Sequence, residues 1–342
     1  MKTTIKQIAE LAGVHRSTVD KVLHDRIGVS REVREHVHKI IDELHYLPNA
    51  VGKALALQKN PLVIAVVLLK VDALDEIKRG VEAAFSELSI YGLTIKYYIS
   101  NDNDLAYQLK TLKALENINI AGLIISPIDD EKIARAINEL AAQNKHVILV
   151  NTDLQNCEKI CFIGQDAKRA GRVAGKLMGE VLNGRGNVAI VTSAAQIMCA
   201  KERQLGFIKI VGELYPRIKI NDIVETYEQA VTAYKSTLEL LKNKPDTDGI
   251  FVTCGNVAEV ARALLSSRTT KKIKMICFDF YPEIVRLIND GVIDFTIGQD
   301  LFGQGYRSLN IMYDRIFFNR NPESLQLTTK IDIRLSENID ME

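Results

Sequence analysis

The chain has 342 residues, of which 47% are hydrophobic, and its formal net charge at pH 7 is +1. This length and composition favour about two or three domains with a large core, and the balanced charge excludes a protein that coats nucleic acid over its whole surface. The five cysteines form no paired framework, so we expect reduced thiols and no metal site. No apolar run approaches the roughly 18 residues of a membrane-spanning helix, and no secretion signal precedes Thr4, so we expect a cytoplasmic protein.

The amino terminus has the pattern of two short helices that meet at a tight turn. Thr4 and Gln7 have the spacing of a capping box at the start of the first helix, and Gly13 ends that helix. The second helix would bury Val19, Val22 and Leu23 and expose a polar face of Arg16, Ser17, Thr18 and Lys21. Such a face suits the major groove of DNA, because cations bind guanine edges and hydroxyls reach bases or phosphates. A plain helical hairpin is the alternative for these residues taken alone.

A third helix is predicted over 31–45, with Ser30 as its cap, and four motifs occur in order along this region. They are I-A-x-x-A-G-V at 8–14, S-T-V-x-K-V-L at 17–23, V-S-x-x-V-R at 29–34 and L-x-Y-x-P-N at 44–49. On these motifs the chain resembles the lac repressor (LacI) family of transcription regulators. The resemblance implies a helix-turn-helix DNA-binding domain at 1–46 and a hinge helix with its linker at 47–60.

The resemblance also implies that the hinge helix enters the minor groove of DNA, where Leu55 would wedge open a base step. Asn49 can cap this helix, and Gly52 within it costs on the order of 1 kcal/mol, so we expect the hinge to order mainly on DNA. The residues expected at the DNA interface are Thr4, His15, Arg16, Ser17, Thr18, Lys21, Ser30, Tyr46, Asn49, Leu55 and Ala56.

Two residues in and before the recognition helix depart from the family pattern. His15 stands where a capping serine or threonine is usual, and Asp20 stands where a serine normally meets the phosphate backbone. A carboxylate that faces phosphates is repelled. Asp20 could form ion pairs with Arg16 and His24, four residues away on either side, or it could accept a hydrogen bond from a cytosine amine. Both alternatives predict an operator preference that is unusual for the family.

From residue 61 the pattern changes to alternating strands and helices. Strands are predicted at 62–69, 93–99, 121–125 and 146–150, and helices at 74–91, 105–115 and 130–143. A second set of strands is predicted at 188–192, 220–225, 249–253 and 274–278. Such runs indicate βαβ units, so we predict an α/β domain at 61–342 with two lobes and doubly wound parallel sheets. This half resembles the periplasmic sugar-binding proteins, whose fold the LacI family uses for effector binding and dimerisation.

Ligands in such sheets bind beyond the carboxyl ends of the strands, so polar residues at these ends are candidates for an effector site. By resemblance, Asn151 lies near the position of an aspartate in ribose-type binders, and Arg203 matches the arginine of an R-x-x-G-F motif. Asp279 matches a strand-end aspartate, and Gln299 matches a glutamine before a lobe crossover. These side chains offer paired donors and acceptors to sugar hydroxyls, although each could instead only tie loops together. Weaker candidates are Asp153 and Asp72.

Two loops of the effector half depart from the resemblance. Residues 71–74 (Val-Asp-Ala-Leu) stand where many relatives have an Asn-Pro-Phe-Phe run, and the chain has no tryptophan. Residues 254–256 (Cys-Gly-Asn) stand where relatives usually have Asn-Asp. An aromatic platform for a sugar face is therefore missing at the first loop, and the ligand could be smaller, more polar or differently posed.

These features predict a homodimeric transcription regulator of the repressor type that binds a pseudo-palindromic double-stranded DNA operator through two heads. A small effector, with a sugar as the leading expectation, would bind between the lobes and change the affinity for DNA. Two alternatives stay open: a nucleobase or phosphorylated metabolite as effector, or a cytoplasmic ligand sensor that acts on a protein partner. The chain has no G-x-S-x-G elbow, Walker loop or zinc motif, so we expect no enzyme activity, no cofactor, no metal and no membrane partner.

Overall fold

The computed structural model describes residues 4–23, 26–44, 61–69, 72–100, 104–193, 197–227, 229–253, 255–267, 269 and 271–340, without the side chains of residues 42, 43, 72 and 73. The predicted hinge helix at 47–60 lies outside these residues, and so do the predicted DNA contacts Tyr46, Asn49, Leu55 and Ala56. The described chain forms a helical head followed by two α/β lobes.

The head consists of α1 (Ile5–Leu11), α2 (Arg16–Leu23) and α3 (Arg31–Glu43). The Thr4 hydroxyl accepts a hydrogen bond from the Gln7 N–H (3.3 Å), while the Thr4 N–H donates to the Gln7 side-chain oxygen (2.8 Å). This reciprocal pair is the predicted capping box, and Gly13, with φ of +62°, makes the turn that follows α1. The predicted third helix ends at Glu43 rather than at residue 45. The buried core of the head is Ile8, Ala9, Ala12, Val19, Val22, Val37 and Ile40.

The first lobe contains a parallel sheet flanked by helices. Its strands are β1 (Leu62–Leu69), β2 (Leu93–Ser100), β3 (Gly122–Ile125), β4 (His146–Val150), β5 (Cys161–Gly164) and β11 (Gln326–Thr328). Its helices are α4 (Asp72–Leu88), α5 (Leu105–Glu116), α6 (Glu131–Ala142) and α12 (Leu301–Phe318). The six strands lie in the order β11-β5-β4-β3-β1-β2. Helix α4 ends before the predicted residue 91, because Ser89–Tyr91 forms a separate 3-10 turn that closes on Gly92.

The second lobe repeats this arrangement. Its strands are β6 (Arg185–Thr192), β7 (Arg217–Glu225), β8 (Gly249–Val252), β9 (Lys274–Phe278), β10 (Phe295–Gly298) and β12 (Asp332–Arg334). Its helices are α7 (Ala167–Val181), α8 (Met198–Leu214), α9 (Ala230–Asn243), α10 (Val257–Ser266) and α11 (Pro282–Asn289). The sheet order is β12-β10-β9-β8-β6-β7, and β12 pairs with β10 in the antiparallel sense. The prediction of two doubly wound lobes is confirmed, with this one antiparallel edge strand as the difference.

The chain crosses between the lobes at Gln165, Gln299 and Lys330, because the short strands before these residues lie in one lobe and the next element lies in the other. The first lobe therefore ends with α12 and β11, which come late in the sequence. Strands β5, β10, β11 and β12 were not predicted. Strands β10, β11 and β12 each contain a polar residue within three or four positions, whereas the equally short β3 and β8 are apolar runs and were predicted. Strand β5 follows β4 without the helix that a βαβ pattern places between strands.

Two of the crossovers lead into a helix, α7 or α12, that packs at short range against another helix of the same lobe. A Cβ added to Gly305 of α12 would lie 2.0 Å from the carbonyl oxygen of Ile77 in α4. A Cβ added to Gly206 of α8 would lie 2.0 Å from the carbonyl oxygen of Lys168 in α7. Both helix pairs thus depend on glycine at the point of closest approach, where the backbones are in direct contact.

Candidate effector site and nucleic-acid interface

Asp279 and Gln299 meet at the carboxyl ends of neighbouring strands in the second lobe. Asp279 directly follows β9 with φ of +63°, and Gln299 directly follows β10 at a crossover. The Gln299 side-chain amide donates to both Asp279 carboxylate oxygens, at 2.9 and 3.2 Å. Burial raises the pKa of Asp279, while the nearby Arg203 guanidinium and the hydrogen bond from Gln299 act in the opposite direction. The carboxylate is incompletely compensated, so a further hydrogen-bond donor from a ligand would stabilise its charge.

Arg203 of α8 is a fixed arginine beside this pair. Its side chain is 4% exposed, its guanidinium carbon lies 3.7 Å from the centroid of the Phe278 ring, and one terminal nitrogen donates to the Thr253 carbonyl (3.1 Å). The Arg203 Nε–H has no hydrogen-bond partner among the described residues. A buried donor that lacks a partner is costly, so an acceptor brought to this nitrogen would stabilise the site.

Asn151 connects the first lobe to the same region. It follows β4 with φ of +64°, and its N–H donates to the side-chain oxygen of Gln304 (2.8 Å). Gln304 is fully buried, and its amide nitrogen donates to the Gln299 carbonyl (2.9 Å). The structure thus links Asn151, Gln299 and Asp279 through Gln304, which the sequence reasoning missed. The missed signal is a glutamine one turn into the helix that follows a crossover.

A second missed residue, Gln165, holds the crossovers together. Its side-chain amide donates to the carbonyls of Gly298 (2.9 Å) and Lys330 (3.3 Å), so a single buried side chain contacts all three connections between the lobes. Its side-chain oxygen has no partner in the described part of the chain. Gln165 follows a short strand as Gln299 does, and this repeated position is the signal that could have identified it.

The two lobes approach each other beside these residues. The Thr152 hydroxyl of the first lobe lies 3.9 Å from the Cys199 sulfur at the start of α8. Burial raises the pKa of Glu202, one turn further along α8, and the Asp166 carboxylate raises it further, while the Lys168 ammonium group lowers it and the Asp153 carboxylate raises it. Carboxylates from both lobes and one ammonium group therefore lie near Glu202 at this edge of the cleft between the lobes.

The two weaker candidates have different positions. The Asp153 carboxylate forms an ion pair with Lys159 (2.6 Å), and both side chains are less than a fifth exposed. It also accepts from the Leu154 N–H (2.9 Å), so its observed contacts organise the loop before β5. Asp72 is the first residue of α4, and its side chain lies outside the described residues.

Aromatic side chains lie at strand ends of the second lobe, although the sequence lacks them at 71–74. Tyr227 follows β7, is 56% exposed and has φ of +54°, a costly backbone conformation for a tyrosine. Phe280 follows Asp279 and is 39% exposed, and the centroid of its ring lies 5.4 Å from the Arg334 guanidinium carbon. Exposed rings next to a polar cleft offer stacking surfaces for a ligand with an apolar face.

A separate cavity of about 570 Å³ lies at the amino ends of β4 and β5, on the side away from the strand ends described above. Its polar lining already serves the fold, since the Lys145 ammonium group donates to the carbonyls of Leu115 (2.6 Å) and Glu116 (2.8 Å) at the end of α5. Burial and then the charge of Arg315 lower the pKa of His146, which lines the same cavity. No cluster of metal-binding side chains occurs among the described residues.

His15 forms the cap of the recognition helix α2 in the head. Its ring Nδ1 accepts from the Ser17 N–H (3.3 Å) and lies 2.8 Å from the Ser17 hydroxyl, while its carbonyl accepts from the Thr18 N–H (2.8 Å). The imidazole therefore takes the place of the usual serine or threonine side chain. On α2 itself Arg16, Ser17 and Lys21 are exposed, as predicted, while Thr18 is half-buried.

Asp20 on the same helix contacts a residue that the sequence reasoning did not consider. Its carboxylate lies 3.2 Å from the Arg26 guanidinium, six positions later in the loop before α3. At the start of α3 the Ser30 hydroxyl accepts from the Val33 N–H at 3.4 Å, so Ser30 caps the helix as predicted. The head thus has capped amino termini at α2 and α3, and its surface carries both acidic and basic side chains.

Two family models match the chain. The model of the bacterial regulatory proteins of the lacI family matches residues 4–49, and the model of the periplasmic binding protein domain matches residues 64–318. The chain belongs to the lacI family of bacterial regulatory proteins. In this lacI-family chain the helix-turn-helix head precedes a two-lobed domain of the periplasmic binding protein type, as the sequence motifs predicted.

Similar proteins include two operon repressors and a solute-binding protein. The ribose operon repressor of Halalkalibacterium halodurans is 25% identical over 284 residues, covering 82% of this chain and 81% of that protein. The lactose operon repressor of Escherichia coli K12 is 25% identical, covering 78% and 70%. An ABC-transporter solute-binding protein from Burkholderia graminis, solved with D-arabinose, superposes with a TM-score of 0.77 at 20% identity, covering 82% of this chain and 97% of that one. That likeness shows the fold of the two lobes.

None of the described helices is long and apolar enough to cross a bilayer.

Proposed function

We propose that this lacI-family protein is a cytoplasmic transcription repressor whose affinity for operator DNA is controlled by a small effector bound between the lobes. The observation that carries the proposal is the hydrogen-bonded chain from Asn151 through Gln304 and Gln299 to Asp279. This chain connects both lobes and a crossover to the partly satisfied polar groups of the cleft. A ligand that bonds to these groups changes the free energy difference between open and closed lobes.

The effector class that best fits this site is a sugar or a similar uncharged polyol. Arg203, Asp279, Gln299 and the Asn151 side chain provide the paired donors and acceptors that adjacent hydroxyls require. The similar regulators named for ribose and lactose operons support this class. Of these four residues only Arg203 is a cation, which disfavours a phosphorylated effector. The nucleobase effector and the sensor that acts on a protein partner are retained as outcomes of the tests below.

The proposed mechanism couples the lobes to the head through the hinge at 47–60. A homodimer presents two recognition helices to the half-sites of a pseudo-palindromic operator. Effector binding closes the lobes of each protomer and changes the relative position of the two hinges. By linkage, the effector alters DNA affinity only by as much as its own affinity differs between the two states of the dimer.

The effector half of the proposal is tested by thermal melting against pentoses, hexoses, cyclic polyols, sugar phosphates and nucleobases. A true ligand at a hundred times its dissociation constant adds about 2.7 kcal/mol and raises the melting temperature by several degrees. We expect a shift with one free sugar that Arg203→Ala abolishes. The control is Arg286→Ala, which removes an exposed arginine of α11 and should leave the shift intact. A response to phosphates or bases alone would instead support the alternative effector class.

The DNA half is tested by selecting duplexes from a random library with the full-length protein and measuring affinity at several salt concentrations. We expect selected sequences with two-fold symmetry and an affinity that falls steeply with salt. Addition of the sugar found by melting should then change that affinity. Absence of salt-dependent DNA binding would favour the sensor that acts on a protein partner.

A further inference from the structure

The proposed recognition helix α2 carries an acid, Asp20, on its exposed side. Asp20 lies one turn after Arg16 on the exposed side of the helix, and its side chain is 43% exposed. A carboxylate at this surface loses affinity through repulsion by the phosphates unless a cation accompanies it. The family pattern therefore does not explain the charge of Asp20.

Arg26 accompanies Asp20 and is itself held in position. Its guanidinium lies 3.2 Å from the Asp20 carboxylate. Its N–H donates to the Lys21 carbonyl (2.8 Å), and its carbonyl accepts from the Arg34 side chain (2.8 Å). The backbone of Arg26 is thus anchored to both α2 and α3. Its side chain is directed back along the exposed face of the recognition helix and remains 62% exposed.

We infer that Arg26 binds a DNA phosphate and that Asp20 positions its guanidinium for this contact. The inference rests on the proposed DNA-binding function. A recognition helix reads bases mainly with its amino-terminal residues, here Arg16 and Ser17, so the loop after the helix lies toward the phosphates that line the groove. A guanidinium has several N–H groups in a planar fork, and it can bond to the carboxylate and to a phosphate together. The pair adds no net negative charge to the interface.

Two other roles are compatible with the same ion pair. It could serve folding only, although an exposed ion pair contributes little to stability. Asp20 could also read a cytosine amine directly, in which case Arg26 would have no special effect on phosphate binding. The three roles predict different results when the two residues are changed singly and together, since a positioning role makes their effects depend on each other.

The test is a double-mutant cycle on the full-length protein with its selected duplex, using Asp20→Asn, Arg26→Ala and the combination. We expect Arg26→Ala to weaken DNA binding about tenfold and to reduce the slope of log affinity against log salt by about 0.9 per head. In the background of Asp20→Asn, the same change should cost only about threefold. Asp20→Asn should weaken binding about twofold when Arg26 is present and strengthen it when Arg26 is absent.

The inference would be overturned if the loss of DNA affinity in the double variant equalled the product of the two single losses. An unchanged salt slope for Arg26→Ala would also overturn it. A change of the selected base at one position on Asp20→Asn, without any effect of Arg26→Ala, would show direct base reading instead. Thermal melting establishes that each variant folds. The matched control is Arg286→Ala, which breaks an exposed arginine–aspartate pair (3.8 Å) in the second lobe and should leave DNA binding unchanged. If the wild type binds no DNA, the proposed function falls as well. If only the cycle fails, the proposed function stands.

Discussion

The helix crossing at Gly305 offers a sharp test of how closely α4 and α12 must pack. Substitution by alanine places a Cβ 2.0 Å from the Ile77 carbonyl oxygen, 2.9 Å from the Ile77 carbonyl carbon and 3.0 Å from the Val81 nitrogen. All three atoms belong to the backbone of α4, so no side chain can turn away to make room. The helices have to separate by about 1.4 Å before the shortest contact reaches the ordinary range that begins at 3.4 Å.

The net cost can be estimated from two opposing effects. Overpacking of a well-filled interior costs roughly 1 to 3 kcal/mol, and contact with rigid backbone favours the upper end. Alanine in a helix interior regains about 1 kcal/mol relative to glycine. We therefore expect Gly305→Ala to lower the free energy of unfolding by about 2 kcal/mol. The displacement also moves the adjacent Gln304, so effector affinity should fall.

The assay is urea unfolding followed by circular dichroism, with Gly212→Ala as the matched control. Gly212 lies within α8, and a Cβ added there meets no atom within 4 Å. The same chemical change should therefore raise the free energy of unfolding by up to about 1 kcal/mol. Equal effects at the two positions, or a stabilised Gly305→Ala, would show that α4 and α12 are not in backbone contact.

Three further predictions concern the head and the cleft. His15→Ala should destabilise the head by about 1 kcal/mol through loss of the α2 cap, while His15→Ser should restore it, as amide exchange in α2 would reveal. Protonation of Asp279 competes with ligand hydroxyls that donate to its carboxylate, so effector affinity should fall as pH falls through the raised pKa of Asp279. Titration of affinity by calorimetry checks this, and Asp279→Asn should remove the pH dependence. Asp153→Ala breaks a mostly buried ion pair with Lys159 and should cost roughly 1 to 3 kcal/mol in melting experiments while effector affinity is retained. A large loss of effector affinity in Asp153→Ala would instead indicate that Asp153 contacts the effector.

Several parts of the fold could be predicted because their signals are local. Strands β1, β4 and β9 have the predicted bounds, since each is apolar except for the first residue of β4 and of β9, and a parallel sheet buries such runs on both faces. The capping box at Thr4 and the turn at Gly13 are encoded within a few residues. The short strands at the crossovers and at the sheet edges escaped prediction, because they contain polar residues or, for β5, follow another strand without a helix between them.

The sequence by itself determined the domain order, the family and the identity of Arg203, Asp279 and Gln299 as candidates, because these rest on motifs of adjacent residues. Only the tertiary structure decided how the candidates are held. Gln304 reaches Asn151 across 153 positions of sequence, and Gln165 joins three separate crossovers. Arg26 meets Asp20 at a spacing that a continuous helix does not bring together. Such contacts depend on where the chain returns in space, and no pattern of neighbouring residues records that.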